Sequence, residues 1–152
     1  MSHLLHPPLL DEAGLQSAVR WYVEGFAERS KIEVDLQLDP GLGRLPAELE
    51  TAMFRTVQEC LTNIHRHSGS SFASIVITGD TQHVTIEIRD QGKGMSMPIR
   101  AGVGIQGMRE RVRQLGGHLE IESGSGGTRV TAVFPTNVAS SEVSPEMSEI
   151  AS

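Results

Sequence analysis

Four short segments of this sequence carry residue types that do chemistry. The first is Glu59-Cys60-Leu61-Thr62-Asn63-Ile64-His65-Arg66-His67. At about 100° per residue on a helix, Glu59, Asn63, Arg66 and His67 fall within one quadrant, roughly opposite Val57, Leu61 and Ile64. A carboxylate, a carboxamide oxygen and two basic groups then line one side. That set can hold a hard metal ion through oxygen while the basic groups meet phosphate. A solvated face with ordinary i,i+4 pairs accounts for the same pattern, and both readings stand at this point. His65 points elsewhere and reads as a surface residue. His-Arg-His is a weak transition-metal signal, because i,i+2 residues do not converge on a helix.

The second segment, Asp90-Gln91-Gly92-Lys93-Gly94-Met95, begins where an apolar strand ends, so its carboxylate projects at the rim of a sheet. An ionised Asp accepts hydrogen bonds, and Gly92 and Gly94 let backbone approach a flat ligand. Taken alone, a turn after a strand explains it. The third is Gly102-Val103-Gly104-Ile105-Gln106-Gly107, leading into a helix. Free backbone N–H groups and a positive dipole end there suit phosphate. The segment matches the G-x-G-x-x-G dinucleotide pattern, with Glu122 about 20 residues on, but no buried strand precedes it and the context fails. Arg109 and Arg113 follow on one helix face, able to pair with Glu110 or a phosphate or to stay solvated. The fourth, Gly126-Gly127-Thr128, reads in isolation as a hairpin turn.

These segments are positioned by elements with clear periodicity. Asp11 reads as an N-cap, and Leu15, Ala18, Val19, Tyr22, Val23 and Phe26 predict a helix over roughly 12–29. Ile32, Val34, Leu36 and Leu38 alternate with polar residues as a half-buried strand, and Asp39-Pro40-Gly41 turns the chain. Pro46 opens a second helix with the stripe Leu49, Met53, Val57, Cys60, Leu61 and Ile64, ending near His67. Strands 72–78 and 83–90 follow, with Val84, Ile86 and Ile88 on one face. Residues 91–101 have no usable periodicity and read as a loop. Ile105, Met108, Val112 and Leu115 make a third helix, stopped by Gly116-Gly117. Strands 118–123 and 128–134 form a last hairpin. Hairpins dominate over crossovers, which predicts an α+β two-layer sandwich: a mixed, mostly antiparallel sheet with helices on one face.

Composition narrows the classes further. The 152 residues are 38% hydrophobic and 21% charged, enough apolar material for one globular core. No apolar run approaches a membrane span, and the N-terminus lacks a signal-peptide pattern. A single cysteine, Cys60, excludes an internal disulfide and a multi-Cys zinc site, and points to reducing cytosol. The net charge of −6 argues against a general nucleic-acid binder. Residues 63–135 nevertheless hold eight Lys/Arg against six Asp/Glu, while residues 1–62 hold five against ten. A small anion such as a nucleotide phosphate fits that distribution better than a duplex, although random scatter of surface charge matches it as well. The tail from Thr136 is Ser/Glu-rich, without aromatics, and reads as unstructured.

The four segments occur in a set order on set elements, and that combination resembles the nucleotide-binding domain of the GHKL superfamily. Glu59–His67 looks like its N box, Asp90–Gly94 like its G1 box, Gly102–Gly107 like its G2 box, and Gly127-Thr128 like its last motif. More narrowly, Gln58-Glu59…Thr62-Asn63…Arg66-His67-Ser68 and Gly104-Ile105-Gln106-Gly107-Met108-Arg109-Glu110-Arg111 are similar to the nitrate/nitrite-sensor subfamily of two-component histidine kinases. The resemblance implies the Bergerat fold over residues 11–135 and ATP with Mg²⁺ as cofactors. On it, Asn63 would bind the metal, with Glu59 assisting the metal or polarising a water or incoming nucleophile. Asp90 would accept from the adenine amine, with Thr128 completing that contact, and Gly92 and Gly94 would lie against the base. Arg66 and His67 would contact phosphate. Gly102, Gly104 and Gly107 would bind phosphates, with Val103, Ile105 and Met108 among the nucleotide contacts, and Met95–Ala101 would form a lid.

The same resemblance implies a kinase whose acceptor histidine lies elsewhere, since none of the six histidines is followed by Asp or Glu. Residues 1–10 then read as a connector from a missing dimerisation and phosphoacceptor domain, and His3 and His6 as connector residues. A natural stand-alone protein of this length is the other reading. Expected partners are ATP or ADP, that acceptor domain and a response regulator, with no nucleic acid and no direct membrane contact. An anti-sigma-factor-type serine kinase and a non-catalytic nucleotide-sensing module are the alternatives.

Overall fold

The computed structural model describes residues 8–91, 103–124 and 126–136, without the side chains of His67, Ser68, Val103 and Gly104. The expectations for His3, His6, Gly92, Gly94, Met95, the lid, Gly102 and the tail beyond Thr136 lie outside the described residues.

Pro8–Ala13 forms α1 and Leu15–Ser30 forms α2. The expected single helix over 12–29 is therefore interrupted. Gly14 sits at φ 94° and is the N-cap of α2, so Asp11 lies within α1 and is not its cap. Leu10 joins Leu15, Val19, Val23 and Phe26 in the core. Lys31 closes α2 in the left-handed conformation, its N–H donating to the Ala27 carbonyl. β1, Glu33–Leu38, alternates exposed and half-buried residues as its sequence does. The Asp39 carboxylate then accepts from the Gly41 N–H at 2.9 Å and from the Gly79 N–H at 3.3 Å.

α3 spans Ala47–Asn63, with Pro46 at its N-cap. Its whole predicted stripe is buried, from Leu49 to Ile64. From Ile64 to Ser68 the chain widens into a π turn, closed by Gly69 in the left-handed region at φ 74°. β2 (Phe72–Gly79) and β3 (His83–Asp90) form the expected hairpin, and α4 (Val103–Gln114) leads to the hairpin of β4 (His118–Gly124) and β5 (Gly127–Pro135).

The sheet order is β1-β2-β3-β5-β4. Only β1 and β2 are parallel, joined through α3; the other pairs are antiparallel. Register places Ile75, Ile88 and Val130 in one row, and Ile77, Ile86 and Ala132 in the next, all buried. The helices pack on that apolar face, giving the two-layer α+β sandwich. The opposite face carries a solvent-side ladder of charges. Arg89 meets Glu87 at 2.9 Å, Arg129 lies 3.6 Å from the same carboxylate, and Arg129 also pairs with Glu122. Glu122 is thus a surface partner on β4, and the mixed sheet excludes the dinucleotide reading.

Candidate functional site

Strand parity decides where Asp90 points. It continues the series Val84, Ile86, Ile88, so its carboxylate leaves β3 on the buried, helix-facing side. Asp90 is only 7% exposed. Its Oδ1 accepts from the Thr128 N–H at 3.3 Å. Thr128 is buried too, and its hydroxyl lies 3.2 Å from that of Ser123, across the β4–β5 hairpin.

Gly127 makes this approach possible. A Cβ there would stand 2.1 Å from the Asp90 carbonyl oxygen and 2.9 Å from its carbon, and φ is +131°. No side chain fits between β5 and the end of β3. The segment that reads as a hairpin turn in isolation is therefore also the element that brings Thr128 onto Asp90.

α3 and α4 close the other walls. A narrow pocket is lined by Cys60, Asn63, Asp90, Ile105, Met108 and Thr128, with Ile64, Ile88, Ile121 and Val130 completing it. Its open volume is about 20 Å³, room for about one water. The Cys60 thiol lies 3.8 Å from the Met108 sulfur. Burial, with a smaller contribution from the Glu59 charge, pushes the Cys60 thiol up to about 12, so it stays protonated at neutral pH. An open groove of about 750 Å³ lies at the same end of the sheet, lined among others by Asp35, Phe72, Ser74 and Arg89; it shares Asp90 and Thr128 with the narrow pocket.

Asn63, Asp90, Ile105, Met108 and Thr128 are thus brought together from four elements. Glu59 lies one turn before Asn63 on α3 but does not line the pocket. Arg66 does not share the regular helical phase expected of it, because the π turn begins at Ile64 and spaces contacts five residues apart. It is exposed, as is His65, which stands edge-on to Phe26 with centroids 6.1 Å apart. Arg109 is tied down: its Nη1 donates to the Leu119 carbonyl at 3.1 Å, fixing α4 to β4. That contact uses one of the five guanidinium donors and leaves Arg109 otherwise exposed. Ser123 was not singled out by sequence reasoning; only the β4–β5 register, which sets it opposite Thr128, identifies it.

The donor set fits a hard cation held in part by its ligand. Asn63 and Glu59 offer oxygens one helical turn apart on a half-buried face, and magnesium commonly takes one or two protein oxygens and completes its shell with phosphate and water. Among the described residues no group of three or more His, Cys, Asp or Glu side chains forms a self-sufficient metal cage.

The third strand of this mixed sheet, which carries its helices on one face, thus ends on a buried carboxylate. Residues 48–138 match the family described as histidine kinase-, DNA gyrase B- and HSP90-like ATPase, and the chain belongs to it. It is 34% identical over 140 residues to the sensor histidine kinase MctS of Rhizobium johnstonii, covering 89% of this chain and 30% of that protein. The chain therefore spans less than a third of that relative. Among solved structures, the histidine kinase domain of the Erythrobacter litoralis EL346 blue-light activated histidine kinase superposes with a TM-score of 0.71 at 22% identity, over 80% of this chain and 61% of that one. The mycobacterial sensor histidine kinase MprB gives 0.61 at 21%, over 80% and 93%. No helix among the described residues is long and apolar enough to cross a membrane.

Proposed function

We propose that this chain is the ATP-binding catalytic module of a sensor histidine kinase of the nitrate/nitrite-sensor type. It would supply the γ-phosphoryl of Mg-ATP to a histidine on a separate dimerisation domain, from which a response regulator would be phosphorylated. The observation that carries this reading is the Asp90 carboxylate, held on the apolar helix side by the Thr128 N–H and facing Asn63 across one pocket. A buried acceptor of this kind suits the exocyclic amine of adenine, and its fixed position favours one orientation of the base.

On this reading Asp90 and Thr128 hold the base edge, with Gly92 and Gly94 against its plane. Ile105 and Met108 form an apolar lid over it. The pocket is too small for a purine as it stands, so the base enters by displacing the Ile105 and Met108 side chains from α3. Met108, with its unbranched thioether, is suited to that repacking. Asn63 and Glu59 would hold Mg²⁺ against the phosphates, and the ion would neutralise charge on the transferring phosphoryl. Arg66 and His67 would contact phosphate from the π turn, and Gly102, Val103 and Gly104 would offer backbone N–H groups, whereas the Gly107 N–H falls in the second turn of α4 and is taken by the helix itself. Catalysis would then be positioning and charge neutralisation. Residues 1–10 would connect to the acceptor domain, 11–135 would be the catalytic module, and 136–152 a tail, in a cytoplasmic setting.

Calorimetric titration of ADP and a non-hydrolysable ATP analogue, with and without Mg²⁺, tests this. Wild type should bind, more tightly with Mg²⁺. Asp90→Asn should weaken binding by about 10- to 150-fold, the equivalent of one hydrogen bond to a charged group. Equal binding by Asp90→Asn, or none by folded wild type, overturns the assignment.

A further inference from the structure

A second cleft lies between α3 and the C-terminal half of α4, away from Asp90. It holds about 480 Å³ and is lined by Ala47, Glu48, Thr51, Ala52, Arg55, Arg111, Gln114 and Leu115. Arg55 comes from α3 and Arg111 from α4, so two cations from separate helices share one depression. The Nε of each is buried and lacks a hydrogen-bond partner among the described residues. Neither arginine makes an ion pair with Glu48 or Glu59 there. Burial and the facing Arg55 charge push the Arg111 guanidinium below its ordinary pKa, with the Glu59 carboxylate working against them.

Two half-exposed like charges, each with a buried Nε–H that lacks a partner, make a place that an anion would complete. Glu48 lines the same cleft and the Glu59 charge acts on Arg111, yet neither carboxylate closes on the pair as an ion pair. The lining also selects the anion. Ala47, Ala52 and Leu115 give apolar walls for a short side-chain stem, while Glu48 disfavours a free dianion.

We propose that the Arg55–Arg111 cleft is a receptor for the carboxylate of an Asp or Glu side chain presented by a partner protein. Two guanidinium forks from two helices would grip that carboxylate and tie α4 to α3 when it docks. The proposal stands independently of what occupies the Asp90 pocket.

The test follows the Nε–Hε resonances of Arg55 and Arg111 in ¹⁵N-labelled 152-residue protein while sodium acetate replaces sodium chloride at constant ionic strength, with a parallel series in inorganic phosphate. Acetate should shift both resonances saturably. In Arg111→Gln, whose amide spectrum reports the fold, the Arg55 response should weaken about tenfold, as loss of one charge-assisted contact dictates. No saturable shift, or the same response to chloride, overturns the site. An Arg55 response unchanged in Arg111→Gln overturns the pairing. Phosphate binding about tenfold tighter than acetate overturns the carboxylate assignment. If that variant does not fold, Arg111→Lys, which keeps the charge but not the guanidinium fork, takes its place in reading the pairing, and the wild-type series alone decides the site and the carboxylate assignment.

Discussion

Gly127→Ala is the sharpest perturbation of the site that leaves every functional group in the sequence. The new Cβ would lie 2.1 Å from the Asp90 carbonyl oxygen, a contact that only backbone movement relieves. The positive φ costs a non-glycine residue about 1–3 kcal/mol. Overpacking against fixed backbone adds about 1–3 kcal/mol, so the domain should lose about 2–6 kcal/mol. For a domain of this size each kcal/mol lowers Tm by about 2–4 °C, and a loss near 3 kcal/mol lowers it by roughly 6–12 °C. Gly126→Ala is the control, because a Cβ there meets nothing within 4 Å; it should stay within about 0.5 kcal/mol of wild type. Urea unfolding followed by tryptophan fluorescence measures both, as a shift in midpoint at constant slope. The displaced β5 should also part the Thr128 N–H from Asp90, so ADP affinity should fall in the same variant. If Gly127→Ala unfolds with the Gly126→Ala control, the contact between β5 and the end of β3 does not constrain the domain and the argument for that glycine fails.

Two further outcomes follow from buried groups. The Cys60 thiol is raised by burial from its ordinary 9.0 to about 12, so above pH 9 the unfolded chain releases a proton that the folded chain keeps. Stability from this group is complete below pH 9 and falls by up to about 1.4 kcal/mol per pH unit toward pH 12; Cys60→Ala should flatten that part of the denaturation-versus-pH profile, and an unchanged slope would remove the thiol as its source. Glu50 is only 2% exposed and accepts from Arg44 Nε at 3.1 Å, Arg44 Nη2 at 3.2 Å and the Leu45 N–H at 3.1 Å. Glu50→Ala should destabilise by about 2–3 kcal/mol, read by urea unfolding, and a loss below about 0.5 kcal/mol would show that these bonds do not hold the 39–46 connection.

The parts of the fold that were legible in the sequence are those where local pattern and burial agree. Val84, Ile86 and Ile88 alternate and are buried together, and the same parity carries Asp90 to the helix side. The α3 stripe from Leu49 to Ile64 reads directly as a buried face. What local pattern misses is decided by partners distant in sequence. Gly14 breaks the first helix although the apolar spacing runs across it, and Arg44 from a distant loop packs where its Cβ would stand. The π turn at 64–68 has no signature in Ile64-His65-Arg66-His67-Ser68, so the expected phase of Arg66 failed there. Gly127 reads as turn chemistry until β3 and β5 are known to be neighbours. The Arg109 bond to the Leu119 carbonyl is legible only once β4 is known to lie beside α4. The Arg55–Arg111 pairing required the packing of two helices that lie far apart in the chain.

The strand order has a consequence for how the domain comes into being. Among the described residues β5 is the last strand in sequence, yet it lies between β3 and β4, touching both along its length. Until residues 127–135 have left the ribosome, β3 has an open edge, β4 has no strand to join, and Ile86 and Ile88 lack the row completed by Val130 and Ala132. The growing chain can form its first helices and the β2–β3 hairpin early, but it carries an unpaired edge and a half-covered apolar face until nearly the whole domain has been made. Asp90 gains its Thr128 partner only in that last step, so formation of the Asp90 pocket and closure of the sheet are one event.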